Sequence, residues 1–322
     1  MHPDHSDIPE SWRTALAPVE EKLSDLQRPG TMRWLHYAMF PVLQACGIVL
    51  IIHASGASWP AWATLLAYGG GILLVAAALN AYFLLIHEAI HGLLVQSSWG
   101  NRILGALLAT MGGISATSYK VMHIRHHRHL GHEDDPDDYR NYVESDRAVW
   151  LLQINRLIWA TFIYVVALPI LSWKYGSAEE RRRIAQEYAG VLLASAMAVY
   201  LVPVSLLILA WAIPLLITNF MINVRGLSQH GSTDSSHPLT ASRTVTPGPI
   251  LRFFLINENY HLEHHLYPSV PADRLPELHR ELNKVLPLRV IHKGYLAYLW
   301  DFFRTGPTRA DQSLGVQRRK GF

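Results

Sequence analysis

The chain has 322 residues, half of them hydrophobic and only 16% charged, with a formal net charge of +3. A soluble domain carries about 25% charged residues, so this composition points away from one, and the slight basic excess gives no footing to a nucleic-acid partner, so none is expected. A mean hydropathy of +0.12 is too low for membrane helices alone, so a membrane part joined to a substantial polar part is expected.

Residues 1–33 are polar and lack the basic start and short apolar core of a cleaved signal peptide, so the encoded N-terminus is expected to be retained. Apolar stretches at 34–54 and 61–86 are each long enough to cross ~30 Å of hydrocarbon at ~1.5 Å per residue. The uncharged link Ser55–Pro60 makes them a hairpin. The run 103–118 is short and glycine-rich, and 150–171 is interrupted by Gln153, Asn155 and Arg156, so both are expected to lie at the interface. Residues 172–188, with Lys174 and Arg181–Arg183, read as a basic loop of the kind retained in the cytoplasm. The stretch 189–224 is broken by Pro203 and Pro214 and is just long enough for a second hairpin turning near one of them. The remainder, from Arg225 onward, is polar and ends in a basic tail, 301–322, with Arg318, Arg319 and Lys320.

The expected fold is an all-α membrane protein: two transmembrane hairpins, about four crossings, interfacial helices and a cytoplasmic histidine-rich cap within a domain at 34–300. With the N-terminus inside, both hairpins return to the face that holds the Arg triplet, so termini and histidine clusters meet on the cytoplasmic side.

Cysteine is confined to Cys46, which excludes an intrachain disulfide and leaves His, Asp and Glu as metal ligands. Histidine is abundant, eighteen residues, and clustered. His87 and His91, at the end of the second apolar stretch, are an i, i+4 pair on one helical face. His123, His126 and His127 come next at i, i+3, i+4, and His261, His264 and His265 repeat that spacing. Neighbours such as His126 and His127 point about 100° apart on a helix and suit two metals better than one. His129 and His132 fall off the stripe and are left out. His230, just beyond the last crossing, reads as a lone histidine more as a solvated loop residue than as a ligand. Eight or nine imidazoles exceed the three or four protein ligands of a zinc site and ask for two metals; imidazole suits several, iron among them. Asp134, Asp135 and Asp137, with Glu88, Asn257 and Glu263 inside or beside the boxes, are candidates to orient the ligand rings.

The three boxes, H-x-x-x-H, H-x-x-H-H and H-x-x-H-H, in this order and around apolar hairpins, resemble those of the integral-membrane fatty acid desaturase superfamily. The run from Asn257 to Pro271 looks very like the third box of bacterial desaturases and carotenoid ketolases, and Asp134–Asp137 also looks familial. The segment Arg225–His230 resembles the one that carries a further ligand. The resemblance covers about residues 34–300 and implies two iron ions with O2 as co-substrate, attack on an unactivated C–H bond of a fatty acyl or similar lipid chain, and placement in a bacterial inner membrane. No Gly-rich dinucleotide fingerprint is present, so electrons are expected from a separate carrier such as a ferredoxin. A hydroxylase or carotenoid-ketolase chemistry is the alternative. His87-Glu88-x-x-His91 also matches the H-E-x-x-H of zinc proteases, a reading that leaves both H-x-x-H-H boxes unexplained.

Overall fold

A computed structural model of the chain describes residues 10–235, 237–286, 288–309 and 312–318. Of the basic tail, Arg319 and Lys320 lie outside the described residues. Helices dominate: α1 (Glu10–Glu20), α2 (Leu23–Leu26), α3 (Arg33–Gly56), α4 (Ala61–Ile90), α5 (Ser98–Met111), α6 (Ala116–His129), α7 (Asp146–Tyr175), α8 (Ala178–Leu201), α9 (Val204–Leu207), α10 (Ile213–His230), α11 (Pro249–Phe254), α12 (His261–Leu266), α13 (Leu275–Val285) and α14 (Tyr295–Thr305). The all-α expectation holds; among the described residues only three short strands, β1 (Thr244–Val245), β2 (Leu288–His292) and β3 (Val316–Arg318), accompany the helices. β1 pairs parallel to β2, Val245 opposite His292, and β2 antiparallel to β3, Val290 opposite Val316.

The chain forms two compact units. One consists of residues up to 30, 122–159 and 223 onward; the other of 31–121 and 160–222. The second contains the apolar helices. Among the described residues, four helical stretches are long and apolar enough to cross a membrane: Arg33–Gly56, Ala61–Ile90, Ala178–Leu201 and Val204–His230. The last is continuous from α9 through a π-turn at Ile208–Ala212 into α10. Leu192, Leu193, Tyr200 and Leu201 are largely exposed on α8, as a lipid-facing surface requires. α3 and α4 cross closely because Gly47 and Gly71 meet: a Cβ on Gly47 would lie 2.7 Å from the Gly71 carbonyl, the small-residue contact typical of membrane helix pairs. Thr218 on α10 donates to the Ala76 carbonyl of α4 (2.9 Å), and Trp211 in the π-turn donates to the Met111 carbonyl at the end of α5 (2.9 Å).

Three boundaries differ from the sequence reading. The apolar run 103–118 is split: α5 stops at Met111, Gly113 takes a left-handed φ of +71°, and α6 begins at Ala116. Residues 172–188 are mostly helix rather than loop. α7 runs to Tyr175, and α8 starts at Ala178 with Ser177 and Glu180 forming a reciprocal capping box, so Arg181–Arg183 lie on the first turns of α8. The second hairpin turns at Pro203, as one of the two readings had it, but its helices are longer than 189–224 allows.

The first unit has its own small core, in which Leu227 packs with Tyr298 and Phe302 of α14. Beside it Arg243 is fully buried. Its guanidinium donates to the carbonyls of Ser228, Gly231 and Ser232 at the end of α10 and to that of Leu314, and lies 4.8 Å from the Tyr298 ring centroid. A cation at a helix C-terminus satisfies orphan carbonyls and opposes the negative end of the dipole. The Leu314 amide returns a bond to Ser232 (3.1 Å), closing the clamp.

Candidate metal centre

The helix that carries His123, His126 and His127 is fixed at both ends. Glu187 of α8 accepts from the Ser115 hydroxyl (2.6 Å), the Thr117 amide (2.9 Å) and the Thr117 hydroxyl (2.6 Å), placing a carboxylate at the positive start of α6. At the other end Gly131 takes φ +78°, and a Cβ there would meet the Ser235 carbonyl at 2.0 Å, so only glycine fits. His230 is the last residue of α10. His261, His264 and His265 lie on α12, only six residues long. The turn before α12 holds Ile256 and Asn257 at φ +48° and +62°, a backbone state that costs a β-branched residue about 1–3 kcal/mol and persists only where surroundings over-determine it. Two sets of contacts do so here. Asn259 is buried and donates to the Val245 carbonyl (2.9 Å), while its own carbonyl accepts from the Val245 amide (2.9 Å). Glu263 accepts from Thr244 and faces His279 Nδ1, and Asn283 backs the same imidazole at 2.9 Å.

Seven imidazoles of the first unit fall into two groups. The nitrogens of His123, His127 and His264 lie within 4.8 Å of one another, as do those of His126, His230 and His265. The neighbours His126 and His127 therefore serve different groups, and so do His264 and His265. His261 belongs with the second group: its Nε2 is 2.8 Å from that of His230 and 3.0 Å from that of His265. The groups adjoin where the His127 and His265 rings stack, centroids 4.2 Å apart. In the other unit His87 and His91, at the end of α4, have centroids 4.8 Å apart. The chain just after them is fixed by Asn101, whose side chain donates to the carbonyls of Gly92, Val95 and Ser97 and accepts from the Val95 amide.

His126 tests whether this set fits a metal. Its Nδ1 lies 2.9 and 3.1 Å from the two oxygens of buried Asp135, while its buried Nε2 has no hydrogen-bond partner among the described residues. A ring held by a carboxylate on one nitrogen with the other aimed inward is the arrangement of a metal-bound histidine. Asp135 is held in turn by the Asp137 amide (2.9 Å). Burial depresses the His126 pKa, but the charge and hydrogen bond of Asp135 more than offset this and raise it. His265 is pushed well below the usual histidine range by burial and by His127, His261, His230 and His126 around it, so it is neutral near pH 7, as a ligand must be. The donor set, imidazole without thiolate, fits iron.

The other expected residues take varied places. His129 and His132 stand in neither group; their centroids are 6.5 Å apart, and His132 is exposed. Asp134, expected to orient an imidazole, pairs instead with Arg125 (2.5 Å). Asp137 contributes its amide and exposes its side chain. Glu263 holds Thr244 and His279 rather than a box imidazole, because it points away from the stripe that carries the three histidines. Asn257 serves the turn, its carbonyl accepting from the Tyr260 amide. Glu88 is buried on α4. The sequence reading missed Glu187, Asn259, His279 and Arg243. Only Asn259, inside the third box, carried a local signal.

A profile of the fatty acid desaturase family matches residues 57–296. The chain belongs to the fatty acid desaturase family. That membership places it among oxidoreductases and, with its four apolar helices, among membrane proteins. Relatives within this family's wider group include a beta-carotene ketolase from Paracoccus sp., 28% identical over 60% of this chain and 72% of its own. A sphingolipid delta(4)-desaturase from Drosophila melanogaster is 28% identical over 76% of this chain and 74% of its own. A dihydrorhizobitoxine desaturase from Bradyrhizobium elkanii is 26% identical over 90% and 85% respectively.

Proposed function

We propose that this desaturase-family protein is an O2-dependent membrane oxidase that introduces a double bond into a fatty acyl or similar lipid chain at a di-iron centre. The reading is carried by the sorting of box histidines into two adjoining imidazole groups. His123, His127 and His264 would hold one iron; His126, His230, His261 and His265 the other. His87 and His91 complete the set of nine, a step that rests on the H-x-x-x-H pattern. The irons would supply reduction of O2 to two waters, with two electrons drawn from the substrate and two from a carrier. The chain's own part is to hold these imidazoles in fixed directions: Asp135 fixes His126, the Arg243 clamp fixes the end of α10 behind His230, and β1 and α13 fix α12.

An external electron carrier, ferredoxin-like or otherwise, belongs to this reading. So does a cytoplasmic metal site: four crossings leave both termini on one side, and the Arg181–Arg183 turn of α8 favours the inside. Hydroxylation or ketolation is the second reading, favoured by the ketolase relative. Metal analysis of the purified protein, paired with product analysis in a host of known lipid profile, tests both. About two irons per chain and a new double bond are expected. A single zinc without iron would overturn the di-iron assignment, and an oxygenated product would replace desaturation by the second reading.

A further inference from the structure

α14 carries apolar side chains on two opposite faces. One face is used: Tyr298 and Phe302 are fully buried and pack on Leu227 of α10, with Trp150 and Ile154 of α7 beside them. The Tyr298 hydroxyl donates to the Gly231 carbonyl (3.0 Å), which ties α14 to the end of α10. The other face is bare. Leu296, Trp300 and Phe303 stand at i, i+4 and i+7, one stripe of a helix, and are 83%, 71% and 49% exposed. Lys293 and Arg304 are exposed near the two ends of that stripe. α11 adds to it. The Thr246 amide donates to the His292 carbonyl (2.8 Å), so two chains leave the β1–β2 pair side by side, one into α11 and the other into α14. Ile250 and Leu296 are each the second residue of the helix that follows, and Ile250 is 77% exposed.

A bare apolar stripe marks contact with protein or with lipid, and the level at which α14 is held decides between them. The last crossing runs without a break from Val204 to His230, and at ~1.5 Å per residue Leu227 lies ~35 Å from its start. Hydrocarbon takes up ~30 Å of that, so Leu227 stands just beyond it, in the headgroup layer. α14, packed on Leu227, is held at the same depth. A helix with Leu, Trp and Phe on one face and basic residues beside them lies in that plane, its apolar face sunk ~5–10 Å into the boundary between headgroups and acyl chains. Trp and the basic side chains are both at home there. We propose that α14, with Ile250 beside its start, is an interfacial helix whose Leu296, Trp300 and Phe303 face is seated in the membrane that the apolar helices cross. The seat is independent of the metal and of the reaction. It makes the lipid surface a support for the cap, because the bond from Tyr298 to Gly231 falls one residue past His230.

The test uses the full chain in nanodiscs of phosphatidylcholine with phosphatidylglycerol. The one cysteine is removed by Cys46→Ser, and a nitroxide is attached singly through Leu296→Cys, Trp300→Cys or, as a water-facing reference on α13, Lys284→Cys, whose native side chain is 62% exposed. Spin relaxation by dissolved oxygen, which concentrates in lipid, is compared with relaxation by a water-soluble nickel chelate. The ratio of oxygen to nickel relaxation should be at least about tenfold higher at 296 and 300 than at 284. Nickel-dominated relaxation at 296 and 300, the sign of a face open to water and free for a soluble partner, overturns the proposal. So does weak relaxation by both agents, the sign of a face covered by protein, whether a second copy or another chain. If Trp300→Cys does not fold, Leu296→Cys, at the most exposed position of the stripe, decides alone by the same three outcomes.

Discussion

The second and third boxes share the spacing H-x-x-H-H yet are supported in opposite ways. The second sits on α6, fourteen residues long, whose internal hydrogen bonds carry most of its order; it needs help only at its ends, from Glu187 and from the Gly131 turn. The third sits on α12, six residues long, too short to be stable on its own. Its order is borrowed from outside, through Asn259 on β1, Glu263 on Thr244 and His279, and a strained turn at Ile256. One motif can be placed by a long helix with good ends or by a short one pinned from several sides, and the two designs should fail differently.

The ligands come first because both boxes depend on them equally. His126→Ala or His264→Ala should abolish activity and reduce iron to about one atom per chain or less, measured by elemental analysis, while membrane insertion persists. Retained activity in His126→Ala would break the symmetry between boxes. Asp135→Asn should come next, since loss of a carboxylate behind a ligand imidazole costs about 10–100-fold in metal affinity or activity. Competition with a ferrous chelator reads it, and an unchanged affinity would mean that the His126–Asp135 pair serves folding alone.

The supports then separate. Asn259→Ala leaves the Val245 carbonyl without its side-chain donor in a buried place and should cost about 1–3 kcal/mol. Glu187→Gln keeps one accepting oxygen for Ser115 and the Thr117 amide, turns a donor toward the Thr117 hydroxyl, which can accept, and loses the charge at the start of α6, so it should cost about 0.3–1 kcal/mol. Thermal melting of the two purified variants compares them, and a larger loss from Glu187→Gln would reverse the distinction drawn between the boxes. His129→Ala and His132→Ala should be the mildest, keeping iron and activity within a few-fold; loss of iron in either would enlarge the ligand set.

The spans and the boxes were legible because each rests on a local rule, length of apolar run for the one and i, i+3, i+4 spacing for the other. The split of His126 from His127 came from the helical angle alone. Local rules also misled. The Arg181–Arg183 run outweighed Ser177-x-x-Glu180, a capping box that marked a helix start and was there to be read. The glycine pair Gly112–Gly113 was counted as part of an apolar run when it ends one. Three aspartates after the second box, Asp134, Asp135 and Asp137, looked alike in sequence, and only the return of the chain after Gly131 turns Asp135 toward His126. Glu187 and Arg243 were invisible for a deeper reason: each acts on a segment tens of residues away, and nothing in their own neighbourhoods records it.

Arg243 imposes an order on biosynthesis. Its guanidinium is satisfied in part by the Leu314 carbonyl, and Leu314 in turn holds Ser232, two residues past His230. Until Leu314 has left the ribosome, the last turn of α10 lacks its lock, although every histidine of the boxes has already been made. On the di-iron reading, iron loading is expected as a late event, after insertion of the spans, and a nascent chain arrested shortly before residue 314 would present all its box histidines without the lock behind His230.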